Sequence, residues 1–341
     1  VGSEMCIRDS VWSQAYWQTF HKQSASDVSE VMDENSARLL SARFGRKVLR
    51  SYSSSFYAVT RFLPPDKKAD VELVYAAVRY PDEVVDTFAL SRDLKMTYLN
   101  SWQNDFEQTR NYSGIIPAVS SGISVIMAAF RDVMRRNQIP DAYYISFLDA
   151  MRNDINSPRF SDWHDLVENY IYGSATVVGY FLTHIYGSAS GQNLDRCLRG
   201  ARSLAIALQL TNFARDVVDD ALRERCYVPE QHGASSGSEL VDQVLSLDQD
   251  AMTEAQLILA NEAYKWYEEA AFDIDAFHPD SRLAIQACHR LYSRLNTKIL
   301  SNPSTTDRES LTMFEKLSVL PMSKYWRLPA ALVLELSLIH I

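Results

Sequence analysis

The sequence predicts an all-α fold, a single-domain helical bundle around a central cavity. Three observations predict it. Glycine and proline are scarce, 11 of each in 341 residues, while Ala, Leu, Arg, Glu and Gln dominate long stretches. Apolar residues in those stretches recur with the helical period. No alternating strand pattern persists, and no internal repeat is present.

The elements follow in order. Residues 1–10 and 336–341 read as translated sequencing-library adapter and are set aside, which leaves 11–335 as the helical domain. A helix is expected over 36–60, ending before Leu63-Pro64-Pro65-Asp66. The next runs over 66–90, with Pro81 inside it removing one backbone donor. A helix over 91–110 precedes a Ser/Gly turn near 113, and Pro117 opens another. Ile139-Pro140-Asp141 starts a helix through Ile155, and Ser161-Asp162 caps one through Ile185, closed by Gly187. A long helix from Leu194 to Leu222 comes next, then a low-complexity loop over Gln231–Ser238, then helices near 249–275, 281–300 and 308–318.

Composition narrows the function classes. The net charge is −9, or −8 once Glu4, Arg8 and Asp9 are set aside. An acidic chain without a basic stripe does not suit a nucleic-acid backbone, so no nucleic-acid partner is expected. Beyond Cys6, the scattered Cys197, Cys226 and Cys288 show no metal spacing; their odd number fits a reducing, cytoplasmic compartment. No apolar run reaches the roughly 20 residues that span a bilayer. The nearest is Pro329-Ala-Ala-Leu-Val-Leu, so peripheral association with a membrane surface stays open.

Two acidic runs carry the chemistry: Asp82-Glu83-Val84-Val85-Asp86 and Asp216-Val217-Val218-Asp219-Asp220. Each places carboxylates four residues apart, on one helix face one turn apart. Two such rows facing each other across a helical cavity would share hard cations. Mg²⁺ suits them because it takes one or two carboxylates and completes its shell with water and substrate phosphates. On the first helix Tyr75, Arg79, Asp82 and Asp86 fall within about 60°. An arginine one turn from a carboxylate pair matches diphosphate oxygens. The competing reading is an ordinary exposed face with an Arg–Asp pair.

On the second helix Gln209, Asn212, Asp216, Asp220 and Arg223 lie within about 80°, with Arg215 and Asp219 to the side. Its apolar approach, Leu204–Leu210, weakens the reading as a solvated helix end. Arg225, Cys226, Tyr227, Val228 and Pro229 then return a cation and a phenol toward its mouth. In Tyr170–Gly179, the small residues Gly173, Ser174, Ala175 and Gly179 permit close helix approach or leave room for a long apolar chain. His164, His184, His278 and His289 form no metal pairing, no phosphate-cradling glycine loop exists, and Ser53–Ser55 lacks a nucleophile-elbow context.

With these residues the chain resembles the squalene/phytoene synthase family, the head-to-head branch of the isoprenoid synthases, over about residues 45–300. Ser53-x-Ser55-Phe56-Tyr57, Leu63-Pro64-Pro65 and Tyr75-Ala76-x-x-Arg79-x-x-Asp82-Glu83-x-x-Asp86 follow its first block. Gln209-x-x-Asn212-Phe213-x-Arg215-Asp216-Val217-x-x-Asp220 with Arg225-x-Tyr227-x-Pro229 matches its second signature closely. Departures are Glu83 and Asp219, each exchanging one acid for another, Ala205 for a common glycine, and Ile171 and Thr176 in the middle segment.

The resemblance implies an isoprenoid-synthase bundle and a prenyl transferase. Asp82, Asp86, Asp216 and Asp220 would bind Mg²⁺, or Mn²⁺ in its place, assisted by Asn212 and Gln209. Arg79, Arg215, Arg225 and Tyr227 would steady the diphosphates of two prenyl substrates, and Ser53, Ser55, Phe56, Tyr75, Tyr170, Ala175, Gly179 and Tyr292 would line the site. Phytoene from two geranylgeranyl diphosphates is the expected product. Squalene, presqualene diphosphate or dehydrosqualene from farnesyl diphosphate are the alternatives, and NADPH enters only if the product is squalene. A non-catalytic relative acting in binding or assembly is disfavoured by both acidic runs being complete. A head-to-tail transferase or terpene cyclase is disfavoured by the Arg225-x-Tyr227-x-Pro229 tail.

Overall fold

A computed structural model describes residues 12–156, 159–232, 235–236, 238–303 and 308–324. Both adapter-like ends, Cys6 and the apolar run at 329–334 lie outside the described residues. The described chain is all-α, its strand content a two-residue hairpin, Gln231–His232 with Ser235–Ser236, inside the expected loop. It divides into two compact units, residues up to 60 with 64–141, and residues 61–63 with those from 142 onward.

In the first unit α1 (Gln14–Ser29), α2 (Glu34–Tyr52), α3 (Ser54–Thr60) and α4 (Pro65–Asp86) precede α5 (Arg92–Gln108), α6 (Ile115–Ser120) and α7 (Val125–Arg136). The helix expected over 36–60 is two helices. Ser53 is extended, and its hydroxyl accepts from Phe56 N at 3.2 Å, so the serine stops α2 and caps α3. The helix opened near Pro117 is also two, because Gly122 adopts φ +101° and Ser124 caps α7 afresh. Pro65 sits in the first turn of α4 and supplies its start; the helix then runs through Pro81 to Asp86. α4 buries Val71, Leu73, Val74, Ala76, Ala77, Val84 and Val85 and packs on α2. A Cβ on Gly45 of α2 would stand 2.9 Å from the Glu72 carbonyl oxygen, so the approach of these two helices demands glycine.

In the second unit α8 (Asp141–Asp154) leads to a turn, α9 (Trp163–Asp165), then a π-helical stretch Leu166–Thr176, then α10 (Val177–Tyr186). Asp162 caps this run and Gly187, at φ +71°, ends it, both as expected; the wider π turns in its middle were not anticipated. α11 (Leu194–Ala221) packs along α13 (Gln249–Ala271) and α14 (Pro279–Ser301), with α12 (Ser238–Leu245) and α15 (Met313–Val319) completing the unit. α1 and α12 had not been anticipated from periodicity, and α15 is shorter than expected. Its start is fixed by a capping box between Thr312 and Glu315. No described helix is long and apolar enough to cross a membrane.

Candidate active site

The acidic half of α4 is only partly solvated. Arg79 Nη1 lies 2.7 Å from Asp82 Oδ2, its Nη2 pairs with Glu83, and its guanidinium sits over the Tyr52 ring at 4.3 Å. Asp82 is 35% exposed, whereas the Glu83 side chain is fully buried. Burial pushes the Glu83 carboxyl up to about 7, Arg79 opposing the rise and Asp82 adding to it. Glu83 therefore serves Arg79, and its neighbour Asp82 is the more accessible carboxylate. Asp86, the last residue of α4, is half-buried. Tyr75 is half-buried one turn before Arg79, its ring 6.0 Å from that of Phe56, and Ser53, Ser55 and Phe56 are half-buried at the α2–α3 junction.

Four of the five residues expected on one face lie on α11, which ends at Ala221 before Arg223. Gln209, Asn212, Asp216 and Asp220 are all half-buried, while Asp219 and Arg223 are exposed. Arg215 contacts Asp216 directly: its Nε donates to Oδ1 at 2.8 Å and its Nη2 to Oδ2 at 2.6 Å. A second arginine, Arg308, donates from Nε to Oδ1 at 2.6 Å and from Nη2 to Oδ2 at 3.0 Å. Burial alone would raise the Asp216 carboxyl, but the two guanidinium groups outweigh it and hold it at about 2. Arg308 lies in a segment between helices and has no periodic signature, so sequence reasoning missed it.

Helix α11 ends in a turn with Glu224 at φ 60°, where Arg225 N donates to the Asp220 carbonyl at 2.9 Å. That turn buries Arg225, Cys226 and Tyr227. The Tyr227 ring stacks on Phe213 at 3.8 Å and 9°. Tyr170, from the π-helical stretch, donates to Asp154 Oδ1 at 2.6 Å, and its hydroxyl oxygen lies 3.2 Å from the Tyr227 hydroxyl. Burial, and after it the Asp154 charge, holds both phenols protonated, well above the ordinary tyrosine value. Asp154, 6% exposed, had not been singled out; an acid at the end of an apolar helix was its one signal.

The small residues of the middle segment divide. A Cβ on Gly173 would meet the Ser146 carbonyl oxygen at 2.7 Å, and one on Gly179 would meet the Ala201 carbonyl oxygen at 3.2 Å. Close helix packing accounts for both. Ala175 is half-buried in the π-helical stretch, and Tyr292 is half-buried on α14.

The donor set fits a hard cation. Among the described residues no group of three or more His, Cys, Asp or Glu is arranged to hold a metal, which leaves carboxylate pairs one helical turn apart. Mg²⁺ or Mn²⁺ asks for that oxygen chemistry when phosphate and water supply the remaining ligands.

A sequence model of the squalene/phytoene synthase family matches residues 49–316. A 15-cis-phytoene synthase of Pantoea ananas is 27% identical over 270 residues, 79% of this chain and 86% of that protein. One from a Paracoccus species is 28% identical over 247 residues, 72% of this chain and 78% of its own length. The chloroplastic phytoene synthase of Narcissus pseudonarcissus is 25% identical over 333 residues, covering 95% and 76%. Among solved structures, a dehydrosqualene synthase in complex with ligand superposes with TM-score 0.70 at 20% identity, covering 86% of this chain and 99% of that one. A squalene synthase from Alicyclobacillus acidocaldarius gives 0.62 at 21% identity, covering 77% and 95%. These two show the isoprenoid-synthase fold.

Proposed function

Because the chain belongs to the squalene/phytoene synthase family, we propose that it joins two prenyl diphosphates head to head, two geranylgeranyl diphosphates giving phytoene. The observation that carries this reading is the pair of half-buried carboxylate rows, each with an arginine already against it. The phytoene synthase names of the matched relatives support the product.

When bound, Mg²⁺ or Mn²⁺ would supply charge neutralisation for a departing diphosphate. Asp82 and Asp86 on α4, and Asp216 and Asp220 with Asn212 and Gln209 on α11, would hold such a cation. Arg79, Arg215 and Arg225 address diphosphate oxygens, to which guanidinium forks are matched. Loss of diphosphate from one substrate leaves an allylic cation. The double bond of the second substrate attacks it, and loss of a proton closes a cyclopropylcarbinyl diphosphate. A second ionisation, rearrangement and proton loss give the linear hydrocarbon without a redox partner. The Tyr170–Tyr227–Asp154 chain keeps its phenols protonated, so they are poor nucleophiles toward a cation.

Peripheral membrane contact is supported by Met313, Phe314 and Met322 at the C-terminal end of the described chain, 71%, 82% and 71% exposed. A reducing, cytoplasmic setting is supported by three buried, free cysteines.

The test incubates the purified chain and Mg²⁺ separately with farnesyl and geranylgeranyl diphosphate, each with and without NADPH, and reads product masses. Phytoene from geranylgeranyl diphosphate without NADPH is the expected result. Squalene, dehydrosqualene or presqualene diphosphate formed only from farnesyl diphosphate would move the chain to the shorter substrate, and no condensation product from either would refute catalysis.

A further inference from the structure

We propose that Arg308 and a divalent cation are alternative partners of one carboxylate, so that cation binding at Asp216 displaces Arg308. The inference rests on the reading above that Asp216 is a cation ligand.

Acceptor capacity is the starting point. An ionised carboxylate offers about four lone-pair sites. Asp216 accepts four hydrogen bonds, two on each oxygen, from Arg215 and Arg308. A cation needs at least one of those sites, so one guanidinium must yield.

The two arginines are not equally easy to remove. Arg215 precedes Asp216 on the same helix and is 21% exposed, so its charge stays beside the carboxylate whatever its rotamer. Arg308 reaches in across 92 residues of sequence, from between α14 and α15, and is 58% exposed. An ion pair that open to water contributes little, and its loss is easily compensated by hydration. Arg308 is therefore the partner that leaves.

Its surroundings also let it go alone. Lys298 of α14 holds the segment just behind it, pairing with Glu309 at 3.3 Å and Glu315 at 3.6 Å and donating to the Ser310 carbonyl at 2.8 Å. The backbone after Arg308 can stay anchored while the side chain swings out. Until then Arg308 offsets the repulsion between Asp216 and Asp220, one turn further along the helix.

The experiment titrates the full chain with Mn²⁺ and reads free ion by electron paramagnetic resonance, comparing wild type with Arg308→Ala, Arg308→Lys and Asp216→Asn. Arg308→Ala is expected to bind Mn²⁺ about three- to tenfold more tightly, given the modest strength of exposed pairs. Arg308→Lys should fall between, and Asp216→Asn should lose the site. Unchanged or weaker binding in Arg308→Ala, with the site lost in Asp216→Asn, overturns the competition and leaves the cation site standing. Unchanged binding in Asp216→Asn overturns both. A second readout on the unmodified chain is trypsin cleavage after Arg308: added Mg²⁺ should accelerate it, and no acceleration counts against displacement.

Discussion

Replacing His21 with phenylalanine should stabilise the protein below neutral pH and leave it nearly unchanged above. Both ring nitrogens of His21 are buried, with no hydrogen-bond partner among the described residues. The imidazole stacks on Trp17 at 5.6 Å, meets Tyr80 edge-on at 5.0 Å, and lies 6.0 Å from Trp102. No acceptor waits for a proton there, and burial lowers its pKa from 6.5 to about 4. The unfolded chain takes up that proton near pH 6.5, the folded one only near 4. Between those values the unfolded state binds more protons, so stability rises with pH. The full difference is on the order of 3 kcal/mol, of which about 2 kcal/mol is already lost at pH 5. Denaturant unfolding of wild type and His21→Phe at pH 8 and pH 5 measures it. The variant should gain about 2 kcal/mol over wild type between the two conditions. Parallel pH dependence in both proteins would refute the argument, because it would mean that His21 finds a partner for its proton. The stake is functional, since Tyr80 adjoins Arg79 and ties this aromatic cluster to the helix that presents Asp82.

Two further outcomes follow from the geometry. Asp82→Asn and Asp216→Asn should each abolish Mg²⁺-dependent turnover while circular dichroism stays helical. Asp216→Asn should also cost about 1–2 kcal/mol in denaturant unfolding, chiefly because it leaves the less exposed Arg215 without its charged partner. Near-normal turnover in either variant would remove the metal assignment. Gly173→Ala should destabilise by about 1–3 kcal/mol, because its Cβ would press on a backbone oxygen that cannot move aside. If the variant melts with wild type, helix packing is not what keeps the position small.

What was legible in the sequence, and what was not, follows physical lines. The acidic face of α11 could be read because its geometry is local: four side chains at helical spacing share a face wherever the helix packs. Helix breaks at Ser53 and Gly122 were missed because a serine cap and a left-handed glycine act over three or four residues, shorter than the window in which periodicity appears. Arg308 and Asp154 were missed for the opposite reason. Each works through a partner in another element, Asp216 92 residues away and Tyr170 16 residues away, and helical spacing carries no trace of such a pairing.

Glu83 shows how one acidic run holds carboxylates in different surroundings. It belongs to the same acidic run as Asp82, and its charge is what the sequence offers as evidence. Yet its position on the buried side of α4 sets its partner before its charge can set its function. A carboxylate deprived of water is stabilised most by the nearest guanidinium, and Arg79, one turn back, is that group. Asp82, one residue earlier, turns toward the more open side and meets the other end of the same guanidinium. The run thus separates an acid that fixes Arg79 from acids that stay more open to water. On α11 the separation is made differently: Asp219 is exposed, and Asp216 keeps two arginines to itself. Two runs of similar spelling therefore prepare their carboxylates by different means, burial beside a shared arginine in one and a double guanidinium clamp in the other.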